Sequence, residues 1–416
     1  MAAAVMPEHG HRFTRSWWWR TLIVVLTVTI AAASAMLSAS LYLSRIDPVR
    51  AVALWPGNSL ARANMASNGL LAKMQRSSAP AARAAASAAL TAQPGNVAAA
   101  RVMALAASLN GDEPRALRWL RYGEQQSRRD LSTQLALIEY AVNRGEIAEA
   151  LRHYDRALRT EPESYQQLFP ILFAASAEAA VREPLIALLR QRPFWREFFL
   201  SQLTGGPTPF AITAPIVAAV SLDPAVPRER EILSRTITKG VGENRLAAAR
   251  RFVPGPASIG IRNGGFEASN NWPPFDWALA DDAELGSVIE QGVRDGRGSA
   301  LFLDARNGRS GEVAHQAEVL PAGRYMLTLA AGDVTGAMDE RPLVTIRCAG
   351  SNTALLTWRL PTLPTAGAQL RAPFTVPQGC TGQLLSITAS SPANEGTDAP
   401  RPWIDDVAVK MARSTS

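Results

Sequence analysis

The chain opens on an apolar run, continues through a long stretch of helical periodicity, and closes in short alternating segments. From Leu22 to Leu43 no charged residue interrupts the first run, which is long enough to cross a hydrocarbon core at about 1.5 Å per helical residue. Trp17, Trp18 and Trp19 precede it and Tyr42 stands near its far end, the places where aromatic rings favour the headgroup layer. This pattern predicts a transmembrane helix or signal anchor over 21–43 behind a tail of 1–20. A cleaved signal peptide is the competing reading, with Leu22–Ala33 as its apolar region and Ala33-Ser34-Ala35 as a small-residue cleavage site.

Residues 48–200 are rich in Ala, Leu and Arg, and their apolar positions recur at helical spacing. Ile147, Leu151, Tyr154 and Leu158 share one helix face. Ala82, Ala116 and Ala150 lie 34 residues apart, as do Gly111 and Gly145, which sit in the turn-like Asn110-Gly111-Asp112-Glu113 and Asn143-Arg144-Gly145-Glu146. Through Leu137, Ala150, Tyr154, Ala157 and Pro162, the segment 131–164 resembles a tetratricopeptide repeat, and Ala82, Ala89 and Pro94 repeat part of that pattern. The resemblance implies stacked helical hairpins with a concave groove that docks a protein partner. A spacer that holds the next domain off the membrane is the alternative. Between 201 and 258 prolines and glycines punctuate the pattern, helical character returns over Glu229–Phe252, and Val253-Pro254-Gly255-Pro256 reads as a linker.

Beyond Ser258 the periodicity changes to strand-like runs at Ser299–Leu303, Tyr325–Ala330, Leu343–Arg347, Leu355–Leu360 and Leu384–Thr388, separated by turn residues. They predict an antiparallel β-sandwich. Its ends carry Asn263-Gly264-Gly265-Phe266-Glu267, followed by Trp272 and Trp277, and Trp403-Ile404-Asp405-Asp406-Val407. By these ends, residues 259–412 resemble a carbohydrate-binding-module jelly roll of the galactose-binding-like type. The resemblance implies a sugar platform, for which Trp272, Phe275, Trp277 and Trp358 are candidates, with Trp403 assigned to the core. It also implies a structural calcium ion held by Glu267 and Asp406, with Asp405 a weaker candidate; ordinary strand-end roles for these acids are the alternative.

Charge and cysteines extend this picture. The net charge of +7 is uneven: residues 259–416 hold 13 Lys and Arg against 17 Asp and Glu, leaving 30 against 19 before them. Cys348 and Cys380 both fall in the β segment and suit one disulfide in an oxidising compartment, or two buried thiols. Arg12, Arg15 and Arg20 before the apolar run, against Arg45 and Arg50 after it, favour a cytoplasmic N-terminus and a periplasmic bulk at a bacterial inner membrane, crossed once. His9, His11, His153 and His315 form no metal spacing, no phosphate loop or nucleophile elbow occurs, and export together with the lack of a basic-aromatic motif argues against nucleic acid.

The expected architecture is multidomain: an N-terminal transmembrane helix, an all-α tetratricopeptide-like repeat and a C-terminal all-β sandwich of jelly-roll type. No stretch is left for a conventional catalytic domain, so the chain reads as a binding or scaffold protein and not an enzyme. The combination resembles accessory proteins of exopolysaccharide or capsule assembly, which implies a partner protein at the repeats and a polysaccharide at the β domain. A structural adaptor whose β domain binds no sugar is the alternative.

Overall fold

The computed structural model describes residues 13–73, 75–255, 260–294, 297–351, 353–391 and 401–412. Arg12, His9, His11 and the expected domain boundary at 258/259 lie outside the described residues. The described chain is an N-terminal apolar helix, a helical region that brings the total to fourteen α-helices, and a C-terminal sandwich of two antiparallel sheets.

Helix α1, Phe13–Ile46, carries Trp17–Ile46, the described helix long and apolar enough to cross a membrane; a signal sequence meets the same criterion. Its last turns are built into protein, because Ser40 and Ser44 are fully buried. Asp47 breaks the helix, and its carboxylate accepts the Arg50 N–H to cap α2, Pro48–Leu54. Helix α2 folds back along α1: Ser40 Oγ donates to the Ala51 carbonyl at 2.7 Å and accepts from Asn58 Nδ2 at 2.9 Å.

Helices α3 (Ser59–Lys73), α4 (Ala79–Ala92), α5 (Val97–Leu109), α6 (Glu113–Gln126), α7 (Leu131–Asn143) and α8 (Ile147–Thr160) follow, each packed on the next. Alanine makes this close stacking possible. Ala79, Ala82, Ala86 and Ala89 of α4 share a core with Ala98, Ala99, Val102, Met103 and Ala106 of α5, and small side chains let two helix axes approach. Asn96, Asp112 and Asp130 cap α5, α6 and α7 through their side chains. Gly111 (φ 80°) and Gly145 (φ 71°) end α5 and α7 in the left-handed conformation. The next N–H in each case reaches back to the helix, Asp112 to Ala107 and Glu146 to Ala141.

Helices α9 (Tyr165–Ala175) and α10 (Ala179–Arg190) contain Pro170 and Pro184, and the compact units divide here. Residues through Leu172, with Ala179–Leu188, form one unit; Phe173–Glu178 and the chain from Leu189 form the other. Residues 189–252, which take in the end of the expected repeats and most of the expected irregular helical segment, fall in the same compact unit as the sandwich. Helices α11 (Arg196–Gly205), α12 (Phe210–Ala219), α13 (Pro227–Gly242) and α14 (Leu246–Ala249) enclose Trp195, Phe199 and a buried Arg196–Glu229 ion pair at 2.9 Å. Leu246 closes over Gly382 so tightly that an added Cβ would meet it at 2.9 Å.

The strands are β1 (Ala278–Leu279), β2 (Leu285–Arg294), β3 (Arg297–Ala305), β4 (Ser310–Glu318), β5 (Gly323–Gly332), β6 (Leu343–Cys348), β7 (Ala354–Arg359), β8 (Ala368–Val376), β9 (Gln383–Ser390) and β10 (Trp403–Met411). One sheet has the order β1-β4-β9-β6-β7 and the other β2-β3-β10-β5-β8. Alternate residues such as Leu301, Leu303, Leu327, Leu329, Val344, Ile346, Leu385, Ile387 and Ile404 fill the layer between them. The Asn263–Phe266 turn docks on β10, where the Val407 N–H donates to the Gly264 carbonyl at 2.9 Å. A Cβ on Gly264 would lie 1.9 Å from the Val407 oxygen, so glycine is required there. Cys348 and Cys380 form a disulfide, with Cα atoms 5.6 Å apart.

Candidate functional site

The aromatic cluster proposed from sequence as a platform points inward. Trp272, Phe275 and Trp277 are 7%, 1% and 1% exposed. Asp276, itself buried, organises the turn by accepting the Asn271 and Trp272 N–H groups at 3.0 Å and pairing with Arg262 at 2.7 Å. Trp277 packs against Phe266 and donates from Nε1 to the Asn263 carbonyl at 3.2 Å, and Arg250 lies over the Phe275 ring at 5.9 Å. Pro273 and Pro274 keep the segment out of a sheet, but a turn can fold its rings inward as readily as outward, and this one does. Trp358 faces the core from β7, opposite Val344, and is half-buried there. Trp272, Phe275 and Trp277 are therefore interior rings, and Trp358 alone of the four keeps partial exposure.

Glu267 and Asp406, the acids singled out as ion ligands, each have partners of their own. Glu267 accepts the Ser299 N–H at 2.7 Å and the Ser299 hydroxyl at 3.1 Å, so both its oxygens are engaged. Asp406 sits at the β10 bulge with φ 50°, and its Oδ2 accepts from Gln369 at 3.4 Å. Among the described residues, no group of three or more carboxylate, imidazole or thiol ligands converges.

The chemistry of the sandwich lies elsewhere, on the outer face of the β1-β4-β9-β6-β7 sheet. A bulge in β4 pairs Glu312 with Thr388 but Ala314 with Ile387, adding one residue to the strand. Glu312 and His315, three apart, consequently meet: His315 Nδ1 is 2.7 Å from Glu312 Oε1. Arg347 of β6 reaches Glu312 Oε2 at 3.9 Å. The hydrogen bond with His315 holds the Glu312 carboxyl below its ordinary range; burial opposes this, while the nearby Ser386 hydroxyl and Arg347 reinforce it. Ser386 pairs directly with His315 across β4 and β9, and with Thr345 across β9 and β6. Arg347 Nε is buried without a hydrogen-bond partner, while the Ser386 hydroxyl sits against the Glu312 carboxyl. Glu312, His315, Arg347 and Ser386 thus form a polar cluster in a row with Thr345 and Thr357 on this face.

The first unit carries a second candidate, an open groove of about 1370 Å³ along α3, α5 and α7. Asn64, Asn96, Arg101, Tyr140, Asn143 and Arg144 supply polar groups between alanines and leucines. Asn96 Nδ2 is buried there without a partner, and Arg101 bonds to Asp130, the cap of α7. The groove exceeds the usual range of small-molecule pockets and suits an extended chain.

No protein-family model matches the chain, and no curated protein matches it. Among solved structures, a carbohydrate-binding module described by "CBM4 structure and function" is 22% identical, covered over 99% of its length by 36% of this chain, at TM-score 0.27. TmCBM61 in complex with β-1,4-galactotriose is 15% identical, covered over 100% of its length by 37% of this chain, at TM-score 0.28. A Stig cyclase from Fischerella sp. TAU is 15% identical, covered over 100% by 38% of this chain, at TM-score 0.27. The chain spans only 21% of another match, the bacteriophage CBA120 tailspike protein 4 enzymatically active domain.

Proposed function

We propose that this chain is a membrane-anchored binding protein of a bacterial envelope, whose tetratricopeptide-like groove docks a segment of a partner protein while its sandwich holds a polysaccharide. The observation that carries the glycan half is the partly exposed cluster of Glu312, His315 and Arg347 on the outer sheet face. Sugar hydroxyls donate and accept at once, so a glycan can bond to the carboxylate, imidazole and guanidinium of this cluster together. In this reading the protein binds and positions its ligands without converting them. On this reading α1 is the export anchor and the β domain faces the periplasm, where exopolysaccharide assembly supplies acidic and neutral glycans.

A second reading, an adaptor whose β domain contacts protein alone, is favoured by the burial of Trp272, Phe275 and Trp277. Affinity electrophoresis of the detergent-solubilised chain through gels containing acidic or neutral bacterial polysaccharide separates the two. Retardation by one polymer, lost in His315→Ala and Arg347→Ala variants that keep the wild-type melting profile, supports glycan binding on this face. Unchanged mobility in every gel moves the reading to the adaptor.

A further inference from the structure

The end of α1 places a second part of the first unit at the membrane. Counting from Arg20, the last charged residue before the apolar run, about twenty residues span a hydrocarbon core of about 30 Å, which brings the far boundary to Ser40. Ser40 is also where protein first closes over the helix, for Leu22–Leu26 are 57–63% exposed whereas Ser40 is fully buried. Its hydroxyl binds the Ala51 carbonyl and the Asn58 amide. Ala51 and Asn58 are thereby fixed at the level of that boundary.

Because α2 runs back along α1, the residues after Ala51 continue toward the bilayer. They are Val52, Ala53 and Leu54, which end α2, then Trp55, Pro56 and Gly57 in a turn closed by the Asn58 N–H on the Trp55 carbonyl at 3.0 Å. At about 1.5 Å per residue, Leu54 and Trp55 lie about one helical turn on the acyl side of Ser40. The composition suits that depth. Leu54 is 40% exposed, Pro56 and Gly57 are exposed, and the Trp55 indole lies over Gly57, where a Cβ would meet its Nε1 at 3.0 Å. Arg45 and Arg50, both exposed, stand nearer the α1–α2 break, level with the phosphates.

We propose that the Leu54–Gly57 turn inserts into the bilayer interface beside α1 and serves as a second membrane contact, fixing the tilt and rotation of the first unit. A single helix leaves its cargo free to swivel; a second contact point a helix diameter away removes that freedom. The proposal rests on α1 being retained as a span.

The test places a nitroxide label at one site at a time in the full chain, reconstituted into vesicles of phosphatidylethanolamine and phosphatidylglycerol, with the native disulfide intact. Leu54→Cys reports the turn, Leu26→Cys the span, and Val142→Cys on α7 an exposed site in the same unit. Collision with membrane-dissolved oxygen should exceed collision with an aqueous nickel chelate at Leu26→Cys and at Leu54→Cys, with the reverse at Val142→Cys. A label at Leu54→Cys that behaves like Val142→Cys while Leu26→Cys stays deep overturns the second contact and leaves the span standing. A water-exposed label at Leu26→Cys overturns the span and the proposal with it.

Discussion

Glu318 offers the sharpest test of how the sandwich and the helices before it are joined. It closes β4, is 8% exposed, and lies near Arg250 from the helical segment and Arg262 from the start of the β domain. Asp276 also faces this cluster, already paired with Arg262. Burial raises the Glu318 carboxyl to about 8; the two arginines and the backbone N–H groups of Gly260 and Val319 pull the other way and lose. A folded-state value above the unfolded one means the folded protein holds the extra proton. Stability from Glu318 is thus fully present below its unfolded value of 4.5 and is lost as pH rises to about 8. Linkage sets the whole effect at about 5 kcal/mol, of which about 3 kcal/mol falls between about pH 5 and 7. Glu318→Gln has no proton to lose, so it should match the wild type near pH 5 and exceed it at higher pH, by on the order of 10 °C in the melting of the sandwich. The assay is thermal unfolding of both proteins across this range, followed by near-ultraviolet dichroism. If the arginines outweighed burial, the carboxyl would be ionised throughout and the glutamine variant would be the less stable at neutral pH, which would refute the reasoning.

Other perturbations have smaller or local effects. Ser386→Ala removes a buried hydroxyl that sits against Glu312 and should cost the sandwich about 1 kcal/mol in denaturant unfolding; unchanged stability would mean the hydroxyl supplies Glu312 with no net hydrogen bond. Replacing Cys348 and Cys380 together by Ala releases a link across 32 residues and should cost about 4 kcal/mol, read as a drop in the denaturant midpoint that matches reduction of the wild type. Trp277→Ala should cost about 3–5 kcal/mol because the ring is core; a neutral result in urea unfolding would return it to the surface. Asp130→Ala removes the α7 cap and the Arg101 partner, for about 1–2 kcal/mol of local stability seen by hydrogen exchange in α7.

The helical hairpins were legible because their packing rests on period and residue size, both written directly in the chain. Alanines 34 residues apart became the interior of α4, α6 and α8, and the two glycines took the left-handed ends of α5 and α7. The division of the helices was not legible, since Trp195 and Phe199 look like any buried helical aromatics until their neighbours are known. Strands β2, β4 and β8 also escaped notice. In β4 the buried Gln316 accepts the Arg262 N–H at 2.8 Å and returns a bond to the Arg262 carbonyl at 3.0 Å, imitating a strand partner. A polar residue spent on backbone in this way breaks the alternation by which strands are read.

The candidate site shows the same limit from the other side. Residues three apart on a regular strand point to opposite faces, so Glu312 and His315 gave no sign of acting together. The extra residue of the bulge reverses that parity, and it is Val313, buried in the core, that fills the added position. The bulge therefore does two things with one insertion: it keeps an apolar side chain in the interior and turns an acid and an imidazole to the same outer face. The rings of Trp272 and Trp277 carried the opposite ambiguity. Their large apolar area favours burial wherever the backbone allows it, and Asp276 supplies the polar hub that lets an irregular, proline-containing turn fold inward without leaving its N–H groups unpaired. What decides whether an aromatic cluster is platform or core is thus the hydrogen-bonding of the turn that carries it, and in this chain the acid between the two rings is the residue that settles the matter.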